Sequence, residues 1–166
     1  GGNSILTSDG AGVVTPNASG IKNTPAFQGY NSSSYQTVSD NTATKLTINT
    51  EEFDTSSAFD TSTSRFTIPS GQAGKYFLYT KFYSYSSNDT GRQCKIYIYK
   101  NGSLIDQTEN QYRLTQDNIV GGALYTSYIS DASAGDYFEA YGNFNVNSGT
   151  DNRLYRALFG GYKLIT

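Results

Sequence analysis

The sequence predicts an all-β domain, an antiparallel sandwich or jelly roll, and three observations predict it. From Pro25 onward, short runs of Tyr, Phe, Ile, Leu and Thr alternate with clusters of Gly, Pro, Asn and Ser, the pattern of closely spaced strands and turns. No ten-residue segment carries apolar residues at the helical period. The aromatic content is 15 Tyr and 9 Phe, with no Trp and no Met. Tyr and Phe favour strands, and Tyr adds a polar tip that tolerates a wet seam. At 166 residues the chain is long enough for one domain, which buries roughly two-thirds of its unfolded surface.

Residues 1–23, "GGNSILTSDGAGVVTPNASGIKN", are small, polar and punctuated by Gly. They read as an extended N-terminal connector or arm, and the domain occupies 24–166. "PAFQGY" (25–30) is a first short strand. "ATKLTIN" (43–49) alternates, with Leu46 and Ile48 inward. "RFTIP" (65–69) alternates Phe66 and Ile68 and stops at Pro69-Ser70-Gly71. "GKYFLYTKFYS" (74–84) is a long strand. "QCKIYIYK" (93–100) meets Asn101-Gly102, a strong hairpin signal, and returns as "SLIDQT" (103–108). "GALYTSYIS" (122–130), "GDYFEAYGNF" (135–144) and "RLYRALFGGYKLI" (153–165) complete the set. The connections 31–42 and 109–119 are polar and are expected to be exposed.

Three of these strands are bulky on both faces. In 74–84, Tyr76, Leu78 and Phe82 share one side; Phe77, Tyr79 and Tyr83 share the other. In 135–144, Phe138, Ala140 and Phe144 oppose Tyr137 and Tyr141. In 153–165, Leu154, Leu158 and Tyr162 share one parity, and Tyr155, Phe159 and Ile165 the other. If the three lie in one sheet, one side faces the opposite sheet. The other side is then covered by a second body, and symmetric self-association is the commonest solution. A solvated tyrosine-rich face is the alternative.

Composition restricts the chemistry. There is no His, so imidazole-based nucleophile systems and the common zinc sites are excluded. The single Cys94 forms no internal disulfide and reads as a small buried hydrophobe. The net charge is -2, without a basic run, so no nucleic-acid partner is expected, although "KIYIYK" interleaves aromatics with cations. No apolar run approaches the ~18 residues of a membrane helix, so no membrane insertion is expected. Glu51, Glu52, Asp54 and Asp60 form the densest acidic cluster. Carboxylate hydrolysis of glycosides and calcium binding were weighed for it, against a solvated turn, which is the expectation. No enzyme activity, metal or cofactor is expected. The chain begins with Gly rather than Met, which fits a processed product or a piece of a longer polypeptide.

The segment Ile48–Tyr79 resembles the signature of the complement C1q-type globular head, within the tumour necrosis factor-like superfamily. The matching positions are Ile48, Asp54, Phe59, Phe66, Gly74, Tyr76 and Leu78. Ile48 and Leu78 replace Phe, and the spacer "TIPSGQA" (67–73) is two residues longer than in the family. "PAF" (25–27) is similar to the family's opening strand, "GDYFEAY" (135–141) to its Gly-Asp strand and "LFGGYKLI" (158–165) to its closing strand. The resemblance implies a ten-stranded antiparallel jelly roll assembled as a homotrimer. It places Phe77, Tyr79, Tyr83, Ile119, Tyr137, Tyr141 and Leu158 at the trimer interface, with 74–84, 135–145 and 153–165 in one inner sheet.

Trimeric heads of this family terminate fibrous or stalked proteins. "SILTSDGAGVVT" is similar to linkers before such heads in bacteriophage structural proteins, and "GGYKLIT" resembles a closing strand at a C-terminus. The expected function is that of a non-enzymatic virion part: the head of a tail or capsid fibre, or a capsid decoration trimer. Residues 1–23 would contact other virion proteins. Apical loops carrying Tyr35, Asn88, Arg92, Tyr112, Arg113, Asn147 and Asp151 would contact a host-surface glycan or protein. The alternatives are a secreted or cell-surface recognition module with the same head, and a glycan depolymerase.

Overall fold

A computed structural model describes residues 6–8, 14–16, 24–86, 91–113, 121–146 and 152–164. Two short strands, β1 (Leu6–Ser8) and β2 (Val14–Pro16), pair antiparallel, so the expected extended arm contains a hairpin. The remaining strands are β3 (Ala26–Tyr30), β4 (Gln36–Thr37), β5 (Thr44–Lys45), β6 (Thr50–Asp54), β7 (Phe59–Asp60), β8 (Arg65–Thr67), β9 (Gly74–Ser86), β10 (Gly91–Lys100), β11 (Ser103–Leu104), β12 (Asn110–Arg113), β13 (Gly121–Ala132), β14 (Tyr137–Val146) and β15 (Asn152–Lys163).

They form two sheets. One runs β13-β9-β15-β3-β6, with β4 on β15; the other runs β11-β10-β14-β8-β7, with β12 on β10 and β5 on β14. The long strands β9, β10, β13, β14 and β15 alternate between the sheets, the crossing pattern of a jelly roll. The described residues hold more strands than the ten expected, because irregular edges contribute two-residue pieces such as β4, β5, β7 and β11.

The core lies between the sheets. Phe27 stacks on Phe66 at 4.1 Å and on Phe59 at 5.0 Å, and meets the edge of Phe159. Leu46, Ile48, Tyr76, Leu78, Ile96, Ile98, Phe138, Phe144 and Leu154 fill the remainder, all fully buried. Leu46 and Ile48 point inward as predicted, but only Thr44–Lys45 of that run is ladder-paired. The Ile48 N–H instead donates to Ser64 Oγ at 2.9 Å, and Thr47 N–H to Gln36 Oε1 at 2.9 Å. Cys94 is buried, and burial pushes its thiol up to about 12. Asn101 and Gly102 both have positive φ, 52° and 77°, the two-residue turn their sequence predicts.

Three sequence-based assignments are corrected. β14 belongs to the sheet of β10, not to that of β9 and β15. Tyr137 and Tyr141 therefore do not share a face with Tyr79; parity within β14 was legible, but the sheet it joins is set by pairing with β10. In β15 the pairing jumps from Tyr155↔Tyr83 to Leu158↔Lys81. This bulge has Arg156 at φ 54° and reverses parity, so Leu154 faces the core and Leu158 faces outward. The connection 109–119, expected as an exposed loop, contains β12. There Tyr112 turns inward, packs on the core and shares a hydrogen bond with Ser84. Burial raises its phenol pKa, and it stands on a strand rather than in a loop.

Candidate functional site

The outer face of the six-stranded sheet answers the two-faced pattern of 74–84. β9 alternates strictly: Tyr76, Leu78, Thr80, Phe82 and Ser84 are buried, while Phe77, Tyr79, Lys81, Tyr83 and Tyr85 face out. Across the sheet, the outward row at Tyr79 is Ser127, Tyr79, Gly160 and Gln28. The next row is Tyr125, Lys81, Leu158 and Tyr30. Phe77, Tyr79, Tyr83 and Leu158 thus lie on one outward face. Ile119 lies outside the described residues.

The face is flat because Gly160 has no side chain. A Cβ there would sit 2.5 Å from the Tyr79 ring, so the ring lies across β15. Its hydroxyl donates to Gln28 Oε1 at 2.6 Å, and Gln28 Nε2 donates to Glu52. Burial, with the Glu52 charge second, raises the Tyr79 phenol pKa. On the inner side of the same strand, a Cβ at Gly161 would meet Leu78 at 2.8 Å. The Gly160-Gly161 pair therefore permits close packing on both faces. The bulge beside it is held by Thr80 Oγ1 donating to the Leu158 carbonyl at 2.8 Å and by Asn31 N–H donating to the Ala157 carbonyl at 2.9 Å.

Among the described residues, the exposed large hydrophobic ones are Tyr30, Tyr35, Phe53, Tyr83, Tyr125 and Ile129. Five lie on strands of this sheet, and Tyr35 packs on its Tyr155. The two most exposed, Tyr125 (51%) and Ile129 (53%), stand on the β13 edge. Tyr30 and Phe53 stand towards the β6 edge.

The outer face of the other sheet is covered by its own side chains. Tyr141 stacks on Tyr99 at 4.0 Å, and the Arg65 guanidinium lies 3.8 Å over the Tyr137 ring. Between these tyrosines Glu139, 3% exposed, accepts from Arg65 at 3.0 Å and 3.1 Å and from Lys45 at 3.3 Å. This satisfied network accounts for a second bulky face without a second body. Glu139→Gln is expected to cost about 1–3 kcal/mol, below the cost of a fully buried pair because both cations reach water. A urea midpoint unchanged by Glu139→Gln would count against it.

The acidic cluster organises loops. Asp54 accepts backbone N–H groups from Ser56, Ala58 and Phe59 at 2.9, 2.5 and 2.7 Å. Glu51 and Glu52 lie on β6, a strand the sequence reading missed because "TEEFD" is a polar edge with little alternation. Side-chain hydrogen bonds from Ser62 and Thr63 hold the Asp60 carboxyl at about 2. Asn101, followed by the Ser133 N–H and Lys100, holds Asp136 at about 2.

Both lie below the ordinary 3.8, so the unfolded chain binds more protons in acid. Their contribution to stability is whole above pH ~4 and is lost as pH falls towards ~2. Tyr76 and Cys94, each pushed by burial up to about 12, act in the opposite sense. Their contribution is present below the unfolded values of ~9–10 and is lost as pH rises towards ~12. The thermal midpoint is expected to be flat around neutrality and to fall on both sides. A midpoint independent of pH from ~4 to ~2.5 would contradict the acid limb.

Of the expected receptor residues, Tyr35 is exposed, meets Tyr155 in a tilted ring contact at 5.4 Å and carries the Arg153 guanidinium at 4.4 Å. Arg92 and Arg113 stand exposed at the ends of β10 and β12, on strands rather than loops. Asn88, Asn147 and Asp151 lie outside the described residues.

No protein-family model and no curated protein matches the sequence. Solved structures do match. The globular domain of the zebrafish complement 1qA protein aligns with a TM-score of 0.55 and 16% identity, covering 85% of this chain and 98% of that one. An Eiger TNF from S. frugiperda aligns with a TM-score of 0.57 and 14% identity, covering 85% and 94%. The likeness is one of three-dimensional form: the domain has the jelly-roll fold shared by complement globular heads and tumour necrosis factors.

Proposed function

We propose that the domain is a non-enzymatic recognition head that assembles as a homotrimer through the outer face of its six-stranded sheet. The observation that carries this reading is the distribution of exposed apolar residues. Among the described residues they concentrate on this one face, while the opposite sheet covers its own. Tyr125 and Ile129 occupy one edge, and Tyr30 and Phe53 lie towards the other. Two different patches on one face suit a head-to-tail contact, which closes as a ring. Charge agrees with it. Lys81, beside Tyr125, forms no ion pair among the described residues, whereas exposed Glu51 and Glu52 precede Phe53 on β6. The number three rests on the resemblance to complement heads. Phe77, Tyr79 and Leu158 would form the middle of the contact, with Tyr83 at its margin.

The test is the solution mass of the chain and of Tyr79→Asp, by light scattering on a sizing column. The expected result is three times 18.1 kDa, lost in the variant. A wild-type monomer overturns the assembly.

A virion location is a second reading. The absence of His, the single Cys and the Asn/Ser/Thr-rich composition favour it over an animal secreted ligand. In that setting residues 1–23 dock on another virion protein, and the head takes a host-surface glycan or protein. Peptides of this chain in purified particles would support that location; their restriction to a secreted or cell-surface fraction would favour the other.

A further inference from the structure

The six-stranded sheet carries a second feature beyond its aromatic belt. At the Tyr85 end of β9 an open cavity of about 380 Å³ is walled by Tyr83, Tyr85, Tyr155 and Arg156, within the ~300–1,000 Å³ range of small-ligand clefts. Its room comes from its neighbours. Opposite Tyr83 and Tyr85 stand Ala123 and Gly121, not the bulky Tyr125 and Ile129 of the belt. β3 has already ended at Tyr30. The cavity lies at the opposite end of the sheet from Pro25 and Leu164, which meet near Lys75 and Lys163. A head carried on an arm from residue 24 would therefore present this end outward.

The wall has a defined chemistry. Tyr85 packs edge-on to Tyr155 at 6.0 Å, and Tyr155 in turn meets Tyr35 at 5.4 Å. This gives a continuous aromatic surface, in which the Tyr155 hydroxyl accepts from Arg153 at 3.3 Å. Arg156 is the extra residue of the β15 bulge, in the left-handed region, and is exposed. Bulges of this kind re-aim a side chain. Among the described residues Arg156 pairs with no carboxylate. An exposed guanidinium and tyrosine rings lining one cavity match a ligand with a carboxylate for the bidentate fork and a hydroxylated ring whose C–H face lies on the aromatics.

We propose that the cavity of Tyr83, Tyr85, Tyr155 and Arg156 binds a carboxylate-bearing saccharide. The proposal rests on the reading of the domain as a recognition head and names the ligand class of that head. The test is calorimetric titration with tri-galacturonate, its methyl ester and acetate, with solution mass measured on the same samples. The wild-type chain is expected to bind the acid form and to bind the ester and acetate at least about tenfold more weakly. Arg156→Gln and Tyr85→Ala are expected to lose that binding with an unchanged circular dichroism spectrum, Arg156→Lys to retain part of it, and Lys75→Gln, at the opposite end of the sheet, to retain all of it. No binding by wild type, undiminished binding by Arg156→Gln, or acetate binding as tight as the trisaccharide overturns the site. A trimer that does not bind overturns only the site; a monomer that binds keeps the site and overturns the assembly.

Discussion

Ile129→Asp and Phe53→Asp are each expected to yield single folded chains, and their mixture is expected to yield pairs. Both residues are about half exposed, at 53% and 44%, so in the isolated chain each substitution costs little, within about 0.5 kcal/mol for a surface site. In a head-to-tail ring the β13 edge of one chain meets the region of Tyr30 and Phe53 on the next. A carboxylate on either patch is then buried against apolar surface without a partner, a cost of several kcal/mol. Each variant retains one native patch, and in the mixture those two patches fit each other. The expected mass is that of one chain for each variant and of two chains for the equimolar mixture. A twofold contact, in which one patch meets its own copy, predicts no recovery on mixing. Trimers in both variants would show that these edges lie outside the contact.

Phe27→Ala is expected to have the largest effect on stability. Phe27 is fully buried, stacked between Phe59 and Phe66 with Phe159 edge-on. It lies on β3, so it ties an edge region of the six-stranded sheet to β7 and β8 of the other. Truncation removes ring contacts that strands on both sides supply, and the cavity it leaves cannot collapse without moving two sheets. The expected loss is about 3–5 kcal/mol, a large share of the ~5–15 kcal/mol of a whole domain. The urea midpoint should fall with an unchanged slope, at fixed chain concentration because assembly adds to apparent stability. A loss below about 1 kcal/mol would mean that the stack contributes little beyond what Ala supplies.

What the sequence determined was local. Alternation in "GKYFLYTKFY" assigned each β9 side chain to its face, because successive residues of a strand point to opposite sides wherever the strand lies. Asn101-Gly102 specified its turn, since two consecutive positive φ values suit those residues. Leu46, Ile48, Phe66 and Ile68 were legible as core from apolar alternation, even where the ladder is interrupted.

Tertiary structure decided what depends on partners distant in sequence. Tyr137 and Tyr141 carry the same two-faced pattern as Tyr79, yet pairing with β10 places them on the other sheet, where Arg65, Tyr99 and Glu139 cover them. The bulge at Arg156 reverses the parity of β15, and its cavity is built from β9 and β15 together, so neither run shows it alone. Tyr112 reads as a polar-loop residue until β12 pairs with β10 and turns it inward. The face a side chain takes is fixed by neighbours one bond away; the surface it serves is fixed by which strands the folded chain brings alongside.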